Sequence, residues 1–133
     1  SAINIYAAGA SGNAAPVATV TGGWSGEPYG IAIDAAGRLY VAHLSLDCAI
    51  TVYAPGAVGN ATPVATIAGP HTGLVYAEGI AVDAAGRIYV ANFSNNAIMI
   101  YAPGATGDAA PVASIAGAST GLSGPSFITF SHP

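Results

Sequence analysis

The chain has 133 residues, 53% of them hydrophobic and 6% charged, with two Lys or Arg residues against six Asp or Glu and a formal charge of −4. Both cations are arginines, Arg38 and Arg87, too few to track a phosphate backbone or an anionic lipid surface. Nucleic-acid and membrane-surface binding are therefore excluded as expectations, and the length fits one domain of modest core.

Cys48 stands alone, so neither an intrachain disulfide framework nor a cysteine-based zinc site is available. The uncharged stretch from Cys48 to Ala77 is broken by Pro55, Gly56, Pro63 and Pro70. It holds no run of about twenty apolar residues that could insert in a membrane. No basic-then-apolar leader is read at the start. Scarce charge with many Gly, Ala and Thr residues predicts a secreted or cell-envelope protein.

In chain order, the first block is INIYAAGASGNAAPVATVTG from Ile3, two short Ile/Val-rich runs joined by a Gly-rich link. Next comes IAIDAAGRLYVA at 31–42, two strands joined by a tight hairpin. Gly37 would supply the positive φ, and the Asp34 side chain would bond the turn amides. The first block then returns as ITVYAPGAVGNATPVATIAG from Ile50. IAVDAAGRIYVA at 80–91 repeats the hairpin, with Gly86 and Asp83 in the same roles. IMIYAPGATGDAAPVASIAG from Ile98 is the third copy of the first block, and Tyr6, Tyr53 and Tyr101 mark its register. Ser126–Phe130 reads as one further strand of the type that opens each hairpin.

Such internal repetition signals a repeat architecture. The runs Ile88–Ala91 and Ile98–Tyr101 do not alternate with polar residues, as strands with one wet face would. Both faces of each sheet must then be covered, and sheets stacked face to face in a ring satisfy this. The string GIAVDAAGRIYVANFSNNAIMIYAPG at 79–104 resembles a blade of the NHL-type β-propeller family. It departs from that family where an acidic residue and an arginine usually flank the second turn, since Asn92 and Ala97 stand there.

The resemblance implies an all-β fold of four-stranded antiparallel blades. With strands labelled A to D from the hub outward, the chain reads C-D, A-B-C-D, A-B-C-D, A. The predicted units are a partial blade at 1–22, blades at 23–69 and 70–117, and a terminal strand at 118–133. Two full blades plus part of a third do not close a ring of about four to eight blades. Other chains would complete it, and copies of this chain are the first candidates.

The D-to-A and B-to-C links of such blades share one face. It would carry Trp24, Glu27, Tyr29, His43, Asp47, His71, Tyr76, Glu78 and Asn92. Trp24, Tyr29 and Tyr76 would offer a stacking platform for a sugar or peptide, or simply pack blade edges. His43 and Asn92 are repeat equivalents at the end of a B strand. They are candidate ligand-binding residues, or satisfy loop backbone. Glu27 and Glu78 are candidate metal ligands with His43 and Asn92, since oxygen-rich sets suit a divalent cation. Propeller hydrolases of the gluconolactonase type use carboxylate and Asn ligands in the hub. Glu27 and Glu78 fall at different repeat positions, however, which suits solvated loop carboxylates.

No serine lies in a nucleophile elbow, and no catalytic residue set can be chosen by spacing. The leading expectation is a non-enzymatic scaffold without a required cofactor. It would bind another protein or assemble with itself into an oligomer or extracellular fibre. A hub-metal hydrolase or lyase and a carbohydrate-binding module are the alternatives.

Overall fold

The computed structural model describes residues 1–22, 26–45 and 47–131. Its strands are β1 (Ile3–Ile5), β2 (Ala18–Val20), β3 (Glu27–Ile33), β4 (Leu39–Leu44), β5 (Ala49–Tyr53), β6 (Ala65–Ile67), β7 (Ala77–Val82), β8 (Ile88–Asn92), β9 (Ala97–Tyr101) and β10 (Ala113–Ile115). Consecutive strands pair antiparallel into a two-stranded sheet, β1-β2, and two four-stranded sheets, β3-β4-β5-β6 and β7-β8-β9-β10. The fold is all-β and built from propeller-type blades.

Equivalent residues take equivalent ladder positions. Ile31 opposes Val41 as Ile80 opposes Val90. The A-B hairpins are alike atom by atom. Asp34 Oδ1 accepts from the amides of Ala36 and Arg38, and Asp83 Oδ1 from those of Ala85 and Arg87. The second carboxylate oxygen takes Arg38 Nε at 2.7 Å, or Arg87 Nε at 2.6 Å, and the hydroxyl of Tyr40 or Tyr89. Gly37 and Gly86 both have φ +84°, the left-handed conformation the turn requires. Burial alone would raise the Asp34 and Asp83 carboxyls, but the bonds from arginine and turn amides outweigh it and hold both below the ordinary value.

The two blades are joined by an apolar seam. Tyr40, Ala42, Ile50, Val52 and Ile67 of the first blade cluster with Leu74, Ala77, Ile80, Ile88, Val90 and Tyr101. A second cluster of Ile3, Val20, Leu39, Val41 and Tyr53 seats β1-β2 on the first blade. The expectation that both sheet faces are covered thus holds at the seams. It fails on one side of β3, where Tyr29, Ile31 and Ile33 are exposed and, among the described residues, no A and B strands of a neighbouring blade lie over them.

At the hub, A strands approach backbone to backbone. A Cβ on Gly30 would sit 2.0 Å from the Glu78 carbonyl oxygen, and one on Gly79 would sit 2.7 Å from that of Ser126. At the rim, the D strands β2 and β6 each join the C-D link of the following blade. Thr21 N–H donates to Gly59 O and Gly59 N–H to Thr19 O, at 2.8 and 2.7 Å. Ala68 N–H donates to Gly107 O and Gly107 N–H to Thr66 O, at 3.0 and 2.7 Å. A tyrosine pins each joint from within, as Tyr53 Oη donates to Gly22 O and Tyr101 Oη to Thr72 O.

Residues 126–130 differ from expectation. They lie beside Gly79, and the Phe130 ring stands edge-on to Tyr89 at 4.9 Å between centroids. They nevertheless form no strand. Among the described residues no B strand follows to pair with them.

The hub spacing makes a testable prediction. Strand propensity would favour Gly30→Val by up to about 1 kcal/mol, whereas overpacking costs about 1–3 kcal/mol. Because the obstruction is a backbone oxygen, overpacking is expected to win. Urea denaturation of Gly30→Val should show a net loss of stability, and unchanged or increased stability would refute the close approach.

Candidate functional site

The D-to-A link 68–76 and the B-to-C link 93–96 meet on one face, as the repeat pattern predicts. Asn92, fully buried, ties them together. Its Oδ1 accepts from Val75 N–H at 2.7 Å, and its Nδ2 donates to Gly73 O at 2.8 Å. Phe93 N–H donates to Tyr76 O at 3.2 Å, and Gly124 N–H donates to Asn96 Oδ1 at 2.7 Å. These bonds hold Tyr76 at φ +51°, a left-handed backbone that a bulky side chain adopts at a cost of about 1–3 kcal/mol.

Asn92 and His43, the two repeat-equivalent candidates, are both buried and hydrogen-bonded within the chain. Each lies in the ladder of a B strand, paired as His43–Ala49 and Asn92–Ala97, with Asn92 the last residue of β8 and His43 the last but one of β4. His43 is fully buried, with Nε2 2.7 Å from Thr51 Oγ1. Burial lowers its pKa, which favours the neutral ring, and a backbone hydrogen bond at Gly26 opposes the shift only in part. Both side chains position loops.

The remaining candidates are scattered. Glu27 is exposed at the start of β3 opposite Leu44, and Glu78 is partly buried in β7. Among the described residues no group of three or more His, Cys, Asp and Glu could hold a metal ion. With His43 and Asn92 committed to loops, the four-residue cation set read from sequence does not gather. Tyr29 and Tyr76 are exposed as a platform requires, while Trp24 lies outside the described residues. Cys48 is buried, its Sγ donating to Ser45 O at 2.8 Å and facing Ala77 N–H at 3.4 Å. It lines a cleft of about 470 Å³ together with Asp47, Gly69, Pro70, Gly73, Val75 and Asn95. Among the described residues lining the cleft there is no paired acid and base.

One polar pair escaped the sequence reading. His71 Nδ1 lies 2.5 Å from Asp108 Oδ2, and His71 N–H donates to Asp108 Oδ1 at 2.7 Å. The pair latches the D-to-A link of one blade to the C-D link of the next. Its one sequence signal is that Asp108 replaces Asn13 and Asn60 at this repeat position.

Two stability predictions follow from these contacts. Asn92→Ala removes two buried hydrogen bonds and leaves loop groups unpaired. A loss of about 1–3 kcal/mol is expected by urea denaturation, with faster hydrogen exchange at Val75. The second concerns pH. The Asp108 hydrogen bond raises His71, and the same bond lowers Asp108. The raised histidine stabilises fully below its ordinary value of 6.5 and loses this as pH rises through its folded value. The lowered carboxylate stabilises above its ordinary value of 3.8 and loses this as pH falls through its folded value. The melting-temperature advantage of the native chain over His71→Ala should therefore peak between those two ordinary values and shrink on both sides. A difference independent of pH would show that the ion pair contributes nothing.

Residues 74–101 match the family model of the NHL repeat. They run from the D-to-A link through β9. Among solved structures, a protein from Lactobacillus plantarum aligns with a TM-score of 0.51 at 20% identity, covering 66% of this chain. This chain spans 25% of that structure's length, and the likeness bears on fold. No curated protein matches the chain. Residues 74–101 thus carry an NHL-repeat match, and the repeated blades and the structural neighbour agree on a β-propeller-type fold.

Proposed function

We propose that the chain is a non-enzymatic repeat scaffold that binds protein through its open blade faces and assembles with copies of itself. One like-for-like comparison carries the reading. Ile80, on the covered side of the second blade, is 5% exposed, while its repeat equivalent Ile31 is 54% exposed. The same position is core where A and B strands of a neighbouring blade lie over it and surface where, among the described residues, none do. Exposed apolar sheet of this kind favours association, and a surface with few charges offers little self-repulsion. The enzymatic alternatives have weaker support, since the carboxylates, His43 and Asn92 do not converge on one point.

The test is sedimentation over a range of concentrations. The native chain should gain mass above the monomer as concentration rises. Ile31→Ser, at an exposed site, should change stability by less than about 0.5 kcal/mol yet shift association to higher concentration. A chain that stays monomeric to its solubility limit would overturn self-assembly.

A further inference from the structure

We propose that assembly is head to tail, with the rim of β1-β2 in one copy docked on β10 of the next as a third instance of the joint the chain already makes twice. The inference rests on the scaffold reading above and names its partner, a second copy of this chain.

The two internal joints share a fixed set of contacts. A C-strand tyrosine donates to the D-to-A link of the preceding blade, a left-handed glycine exchanges two hydrogen bonds with the preceding D strand, and the D-strand isoleucine or valine is sealed beneath. Among the described residues each half of that set recurs once with no other blade seated on it. Tyr6, equivalent to Tyr53 and Tyr101, is 51% exposed where they are fully buried. Ile115, equivalent to Ile67, is 47% exposed where Ile67 is 0% exposed.

Both halves also hold the joint conformation before any partner arrives. Gly12 has φ +61°, against +61° at Gly59 and +68° at Gly107. Thr120 Oγ1 donates to Gly117 O and accepts from Leu122 N–H, as Thr72 Oγ1 does with Gly69 O and Leu74 N–H. The acceptor loop is thus already folded like the one that receives Tyr101. Preorganisation of this kind lowers the ordering penalty of association.

Transferred residue by residue, Tyr6 Oη of one copy donates to Thr120 O of the other. Gly12 pairs with the Ser114 carbonyl and the Ala116 amide. At the hub, Phe127 replaces Gly30 and Gly79, and the residue facing it in the partner is Tyr29, the equivalent of Glu78 and Ser126. Both aromatic side chains are exposed in the single chain. An aromatic contact then occupies the place where internal joints have glycine against backbone. The composite blade has an A segment from one copy and C and D strands from the other. The inner edge of β1 keeps its apolar groove of about 250 Å³ between Ile5 and Ile31. The interface is heterologous, so it generates a ring or a filament rather than a two-fold dimer.

The test blocks each half separately and uses the full chain. Ile115→Glu places a charge on the tail face, and Tyr6→Ser with Gly12→Pro disables the head face. Circular dichroism checks that both fold. Sedimentation should show each variant alone with a dissociation constant raised at least about tenfold, equivalent to about 1.4 kcal/mol. An equimolar mixture should recover a dimer, because one intact head still meets one intact tail. Folded variants that keep native association, or a mixture that fails to recover a dimer while the native chain associates, would overturn this joint and leave the scaffold reading standing. A native chain that never associates would overturn both.

Discussion

Burial of one blade's apolar face against the next is the interaction on which the rest of the structure depends. Ile88, Val90 and Tyr101 have no wet side to retreat to, because their strands are apolar on both faces. Only another sheet can cover them. The first blade supplies Tyr40, Ile50, Val52 and Ile67 for that purpose. Small residues at Ala42, Ala77 and Ala91 let the sheets close on one another. The hairpins, pins and latches then set register and angle within a contact that apolar burial has already made favourable.

Two backbone devices control the angle between blades. At the hub, glycine lets Gly30 and Gly79 lie against the carbonyls of the next A segment. At the rim, Gly59 and Gly107 knit each D strand to the following link. The loops are built on these fixed points. Asn92 sits at the inner end of a B strand and ties down the D-to-A link, and that tether holds Tyr76 in its unfavourable conformation. Surface features on this face are therefore set by buried groups, and their presentation depends on joint integrity.

Most of the fold was legible in the sequence because the chain states it more than once. The DAAGR hairpins, the YAPG links and the apolar strand runs each specify a local geometry, and repetition at near-constant spacing specifies stacking. Strand status for 126–130 was not legible, because an A strand needs a B strand as much as it needs its own Ile and Phe residues. The candidate site was read less well. His43 and Asn92 sit at the boundary between strand and loop, and one residue of ladder decides whether a polar side chain faces inward or outward. Glu27 and Glu78 share a residue type but not a repeat position, a mismatch visible in the sequence, and they stand at different points of β3 and β7. The His71–Asp108 latch joins residues far apart in sequence and leaves only a single Asn-to-Asp change as its trace.

The seam can be tested most directly by making one substitution at two equivalent positions, Ile67→Ala and Ile115→Ala, and measuring stability at a concentration where the chain is monomeric. The two residues share a repeat position, a strand type and a local sequence, and differ in whether a blade covers them. The account predicts a loss of about 2–5 kcal/mol at Ile67 and less than about 0.5 kcal/mol at Ile115. Equal losses at the two positions would contradict it.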